Sequence, residues 1–154
     1  METKPILKIL CGIPGSGKTT YCMKAFNWSV VSRDDVRFSL VPETDEYFSK
    51  ETEVFNSFAS IIRKNLKAGQ NVIADATHIT KASRKKLIEA INLPLDSYNI
   101  IFVDFNTDLL TCLVRNEKRE GRKKVPASVM RRMSLQKQTP SKNEFVNVIG
   151  VEFI

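Results

Sequence analysis

The sequence predicts an α/β fold in which a parallel β-sheet is flanked by helices on both faces. Three observations carry that expectation. Short, almost wholly apolar runs alternate with stretches of helical periodicity along the 154 residues, the pattern of strands buried on both faces and joined by helical crossovers. A glycine-rich turn with phosphate-binding spacing follows the first apolar run. No repeat or linker divides the chain, whose length suits one domain spanning residues 1–154.

The elements follow in order. Ile6-Leu7-Lys8-Ile9-Leu10-Cys11 is nearly all apolar and reads as the first strand. After the glycine-rich turn, Lys18 to Phe26 has helical character, and Ser29-Val30-Val31-Ser32 reads as a second strand. From about Glu46 to Ala68, residues Val54, Phe58, Ile61, Ile62 and Leu66 recur at three- and four-residue steps, which predicts a long helix stopped by Gly69. Asn71-Val72-Ile73-Ala74 is a third strand ending at Asp75. Thr80 is the expected cap of a helix with Leu87 and Ile91 on one face. Tyr98 to Phe105 is a fourth strand, and Thr107 the expected cap of a helix carrying Leu110, Leu113 and Val114. Pro126 suits the first turn of a further helix, and Phe145 to Phe153 supplies a last strand. In such a sheet the ligand site lies beyond the C-terminal strand ends, where Gly12, Ser32, Asp75 and Phe105 arrive.

Bulk properties narrow the class. With 42% hydrophobic and 27% charged residues the composition is that of a soluble globular protein. No apolar run approaches the ~18–20 residues of a spanning helix, and the N-terminus lacks a signal peptide's basic start and cleavage site. Cys11, Cys22 and Cys112 form no disulfide framework, and with a single histidine they form no zinc signature. A cytoplasmic protein without a membrane partner is expected. The net charge of +7 predicts an anionic partner. That charge is local. Between Arg115 and Lys137 stand nine Lys+Arg and two Asp+Glu, while the remainder of the chain is balanced.

Gly12-Ile13-Pro14-Gly15-Ser16-Gly17-Lys18-Thr19 fits the G-x-x-x-x-G-K-[ST] pattern without a mismatch, between a strand and a helix as that pattern requires. Its glycines let successive N–H groups converge on phosphate oxygens, and the following helix adds its positive dipole end. A P-loop NTPase fold is therefore expected, with Gly12, Pro14, Gly15, Ser16, Gly17, Lys18, Thr19 and Thr20 binding the nucleotide. Lys18 bridges the β- and γ-phosphates in this reading, and the Thr19 hydroxyl ligates Mg²⁺.

Three further elements bear on what receives the phosphoryl group. Ser32-Arg33-Asp34-Asp35-Val36-Arg37 follows the second strand and faces the same crevice. There Asp34 can accept a proton from an acceptor hydroxyl while Arg37 holds an anion, or Asp34 simply caps the next helix. Beside the phosphate loop the first reading is the stronger. Asp75 either sits near Mg²⁺, directly or through water, or caps a turn. His78 is assigned no catalytic duty. Arg115 and Arg119 are four apart, hence on one helix face, and open a basic lid of about residues 115–137 that closes over the triphosphate.

Taken together these residues resemble the 5′-hydroxyl polynucleotide kinases of the phage type. The resemblance runs through Gly-Ile-Pro-Gly-Ser-Gly-Lys-Thr, Ser-Arg-Asp-Asp-Val-Arg, Ala-Asp-Ala-Thr, Val-Arg-Asn-Glu-Lys-Arg-Glu-Gly-Arg-Lys-Lys-Val-Pro and Val-Met-Arg-Arg-Met. It implies ATP or another NTP as phosphoryl donor, Mg²⁺, and nucleic acid 5′-OH ends as acceptor. It makes Asp34 the general base and gives Arg37 a phosphate of the acceptor strand. Arg119, helped by Arg115, stabilises the phosphoryl group in flight. Two departures stand out: His78 follows Asp-x-Thr where the family usually has Asn, and no Asp-x-Asp-Gly-Thr phosphatase motif occurs. The resemblance thus implies the 5′ half of end healing only. The alternative is a kinase of the same fold acting on a small hydroxyl compound such as a nucleoside, sugar or antibiotic. A nucleotide-dependent binding module is a third class, disfavoured by the Asp34/Arg37 pair.

Overall fold

The computed structural model describes residues 3–154; Met1 and Glu2, where the expectation about the N-terminus begins, lie outside the described residues. Five parallel strands make one sheet: β1 (Ile6–Cys11), β2 (Ser29–Ser32), β3 (Val72–Asp75), β4 (Asn99–Asp104) and β5 (Val148–Phe153), in the order β2-β3-β1-β4-β5. Six helices connect them: α1 (Lys18–Met23), α2 (Arg33–Leu40), α3 (Glu51–Lys67), α4 (Lys81–Ile91), α5 (Leu109–Glu117) and α6 (Ala127–Gln136).

Alternation along the strands assigns the two faces. Leu7, Ile9 and Cys11 of β1 pack with Phe58, Ile62 and Leu66 of α3 and with Leu87, Ile88 and Ile91 of α4. Leu10 joins Ile73, Val103 and Phe105 on the opposite face, under Tyr21 and Cys22 of α1. Lys8 also faces this side. Its ammonium donates to the Tyr21 hydroxyl at 2.7 Å, pairs with Glu152 at 3.1 Å and lies over the Trp28 ring. A cation in a central strand is thereby kept paired at the margin of the core. No helix among the described residues is long and apolar enough to cross a membrane.

Several boundaries differ from expectation. The long helix begins at Glu51 rather than Glu46, residues 42–50 forming successive turns instead, and it starts without a capping side chain at Lys50. Asp108, not Thr107, caps α5, its Oδ2 accepting from the Thr111 N–H at 3.0 Å. The Thr107 hydroxyl donates instead to the Ser16 carbonyl at 2.7 Å, so it braces the phosphate loop. Pro126 occupies the N-cap position of α6 rather than its first turn. The first helix stops at Met23, β3 lies one residue later than the run Asn71–Ala74, and β4 and β5 are shorter than the runs that announce them. The Thr80 cap of α4 is present, reinforced by Ser83.

One buried ion pair fastens the chain behind the sheet. Arg84 is wholly buried, donates to Glu144 through Nε at 2.8 Å and Nη2 at 3.0 Å, and caps the carbonyls of His78 and Gln138. Removing only the carboxylate strands a guanidinium in the core, a defect that costs about 3–5 kcal/mol. Glu144→Ala is therefore expected to lower unfolding stability by that amount in urea titrations. A loss below about 1 kcal/mol, the usual value of surface pairs, would contradict this.

Candidate active site

The strand order brings four C-terminal strand ends to one crevice. The phosphate loop leaves β1, Asp34 follows β2, Asp75 ends β3, and Phe105 follows β4. Glycine is obligatory at two points of that loop. A Cβ on Gly12 would stand 2.4 Å from Ser16 Oγ and 2.9 Å from Phe105 Cβ; one on Gly15, where φ is +82°, would stand 2.7 Å from the Cys112 carbonyl oxygen. Ser16 Oγ is buried without a hydrogen-bond partner, so the cradle presents an unused polar group. Lys18 curls back over the loop and donates to the carbonyls of Gly12 at 2.8 Å and Ile13 at 2.9 Å. This cradle, open at the N-terminus of α1, fits a chain of phosphates. Thr19 and Thr20 are exposed at its mouth and Pro14 is half-buried along it.

Electrostatics make Lys18 responsive to an anion. Burial pushes its ammonium down to about 8, against the pull of Asp75 and with the push of Arg119. A polyanion seated in the loop raises that value again, so triphosphate binding near pH 8 takes up about half a proton and weakens as pH rises further. Titration calorimetry at pH 8 is expected to give binding heats that scale with the buffer's ionisation enthalpy. Equal heats in all buffers would contradict the coupling.

Asp75 is half-buried, and burial, with Asp34 and Asp35 nearby, raises its carboxyl above the usual range despite Lys18. Such crowded negative charge suits a divalent cation. Among the described residues no cluster of three or more His, Cys, Asp or Glu could hold a metal unaided. Magnesium is commonly held by phosphates, waters and one or two protein groups, and the residues that could hold it here are Thr19 and Asp75.

Asp34 lies in the first turn of α2, but Ser32 is the cap, its Oγ accepting from the Asp35 N–H. Freed from capping, the Asp34 carboxylate accepts from Arg37 Nη1 at 2.6 Å and from the Tyr47 hydroxyl at 3.0 Å. Asp34 is half exposed, whereas Arg37 is buried beneath it, with Nε and Nη2 on the Glu51 carboxylate at 2.6 and 3.0 Å. Arg33 also reaches Glu51, at 3.1 Å. Burial works against the Glu51 charge, yet the two arginines hold its carboxyl below the usual range. Three of the five N–H groups of Arg37 are thus committed, and its first observable task is to orient Asp34. Glu51 and Tyr47 were not legible as site residues; both lie outside any motif, and only the acidic first turn of α3 hinted at Glu51.

The lid departs from expectation in detail. Helix α5 ends at Glu117, so Arg119 lies past it and does not share a helical face with Arg115. Arg115 still reaches the phosphate loop. Arg115 Nη1 donates to the Gly15 carbonyl at 3.1 Å, and the Arg119 charge is near enough to depress Lys18. The Asn116 side chain, almost fully buried, closes the intervening loop by exchanging two hydrogen bonds with the Val125 backbone, at 2.6 and 3.0 Å. Farther on, Arg122 crosses to the acceptor side and donates to the Val41 carbonyl at 3.2 Å. Lys137 pairs with buried Asp104 at 2.7 Å, tying the end of α6 to β4. His78, buried at φ +41° with Nδ1 donating to the Leu10 carbonyl, is pushed down to about 4 by burial and stays neutral.

Residues 7–140 match a family described as AAA domain. None of the curated proteins matches the chain in sequence. A chain of the Pnkp1/Rnl/Hen1 RNA repair complex is 27% identical with a TM-score of 0.71; the match covers 88% of this chain and 45% of that one, so the present chain spans less than half of its length. A sugar kinase from Janibacter sp. HTCC2649 is 18% identical with a TM-score of 0.64, covering 97% of this chain and 86% of the other. A fungal RNA kinase is 12% identical with a TM-score of 0.62, covering 99% and 75%. These last two likenesses speak for the fold alone. With its phosphate loop at the head of the matched span and a five-stranded parallel sheet behind it, the chain belongs to the AAA domain family and has the fold of the P-loop kinases.

Proposed function

We propose that the protein transfers the γ-phosphoryl group of ATP to the 5′-hydroxyl of a nucleic acid. The observation that carries this reading is the Asp34–Arg37–Glu51 constellation. An exposed carboxylate is oriented by a buried arginine beside a phosphate loop, on a side of the crevice left open and bordered by a cationic lid. The 27% identity to a chain of an RNA repair complex supports the same direction.

In this reading Asp34 accepts the proton of the 5′-OH as its oxygen attacks the γ-phosphorus and the bond to the bridging β–γ oxygen breaks. Arg37 positions Asp34 from beneath, its own charge held by Glu51. Lys18, Arg115 and Arg119 hold the phosphates and the charge that spreads over them. Thr19 and Asp75 would hold a magnesium ion, which would supply further neutralisation of that charge.

The second reading, a small-molecule kinase, draws on the sugar-kinase fold likeness. Such an enzyme needs an enclosed acceptor pocket. A cavity of about 380 Å³ between Pro5, Leu66, Leu93 and Tyr98 lies at the opposite, N-terminal strand ends and so cannot serve Asp34. An acceptor panel separates the readings. With labelled ATP, a 5′-OH oligonucleotide is expected to be phosphorylated far better than a nucleoside, a hexose or a sugar acid. Preference for any of those small acceptors would overturn the proposal.

A further inference from the structure

Residues 38–48 carry a feature that the transfer chemistry leaves unused. Phe38, Tyr47 and Phe48 form one aromatic cluster, with ring centroids 5.5 Å apart and planes tilted by 53° for Phe38–Tyr47, and 4.9 Å apart and edge-on at 73° for Tyr47–Phe48. Phe48 is 64% exposed and Phe38 39% exposed. Lone exposed apolar residues are ordinary, but adjacent exposed rings mark a contact surface. Cations surround it: Arg37 lies under Tyr47 and Phe48 at about 5 Å, and Arg122 and Lys123 of the lid flank Phe38 at 5.5 and 5.4 Å. The Tyr47 hydroxyl is bonded to Asp34, so this surface begins one phenol ring from the proposed general base.

Exposed rings bordered by the half-buried Arg122 and the exposed Lys123, opening from the acceptor carboxylate, match the two demands of a single strand, stacking for bases and positive charge for its backbone. We infer that Phe38 and Phe48 form a stacking platform for unpaired bases next to the reacting 5′ end, with Arg122 and Lys123 attracting the phosphates. Bases within a duplex hide their faces in the stack, so the platform selects single-stranded or overhanging 5′ ends over blunt ones. Stacking is tolerant of base identity, so little sequence preference accompanies it. This inference rests on the kinase reading for its orientation, but its binding test does not.

The test is fluorescence anisotropy of a labelled single-stranded oligodeoxynucleotide without nucleotide, comparing the wild type with Phe48→Leu and Phe48→Trp. Leucine keeps an apolar cover over Arg37 but has no aromatic face; tryptophan keeps the face. Leu is expected to weaken binding roughly tenfold and Trp to restore it. A second arm compares transfer to single-stranded and blunt 5′-OH ends, where Phe48→Leu is expected to lose the preference for the single strand. Binding by Phe48→Leu equal to wild type, or an equal loss for blunt duplex, would overturn the platform. Wild-type binding with the expected Phe48 dependence but no phosphoryl transfer would overturn the kinase reading alone.

Discussion

Asp34→Asn is expected to lower kcat for an oligonucleotide acceptor by about 10²–10⁴ while leaving the protein folded. The amide keeps an oxygen for Arg37 and Tyr47 to bond, so the geometry around Nη1 at 2.6 Å and the phenol at 3.0 Å has a substitute acceptor. What disappears is the group that takes the proton. Arg37 remains paired with Glu51 through Nε and Nη2, so no buried cation is stranded. The loss is therefore expected in kcat, with KM for both substrates little changed, in steady-state assays. Full turnover by Asp34→Asn would remove the general base from the account.

Arg119→Ala is expected to cost still more, about 10³–10⁵ in kcat, the range for an arginine that meets charge on a phosphoryl group in flight. Its placement supports that role better than helical spacing did. Arg119 follows the end of α5, its N–H bonded to the Asn116 carbonyl at 3.0 Å, at the base of a loop closed by the Asn116–Val125 bonds. This clamp fixes the backbone beside Arg119, whose charge opposes that of Lys18. Arg115, already bonded to the Gly15 carbonyl, is expected to matter less for kcat and more for ATP affinity. Single-turnover rates at saturating ATP separate the two. An Arg119→Ala rate within a few-fold of wild type would place the lid outside the chemistry.

What could be read from sequence followed the range of the interactions. The phosphate loop was legible because its whole geometry is encoded in eight consecutive residues, from Gly12 to Thr19. That Asp34 and Arg37 stand side by side was legible because three positions along a helix bring side chains together. Arg37, however, was expected on an acceptor anion and is instead bonded to Asp34 and Glu51. Glu51 and Tyr47 were not, since they join that pair from turns and a helix start 13 to 17 residues away, with no periodicity to announce them. Helix starts were misplaced where cap candidates competed, as with Thr107 beside Asp108, or where no capping side chain existed, as at Lys50. The Arg84–Glu144 pair was invisible for a different reason. Sixty residues separate its members, and charged residues are normally read as surface. The basic segment was legible as a run of charge, but not how its cations divide: Arg115 bonds the Gly15 carbonyl and Arg122 the Val41 carbonyl.

The central claim is that this crevice phosphorylates the 5′ end of a nucleic acid. Mass spectrometry of an oligonucleotide with free 5′- and 3′-hydroxyls, after incubation with ATP and Mg²⁺, tests it most directly. The account expects one added phosphate on the 5′-terminal nucleotide, absent with Asp34→Asn. An unmodified oligonucleotide, or a phosphate at the 3′ end or on a base, would contradict it.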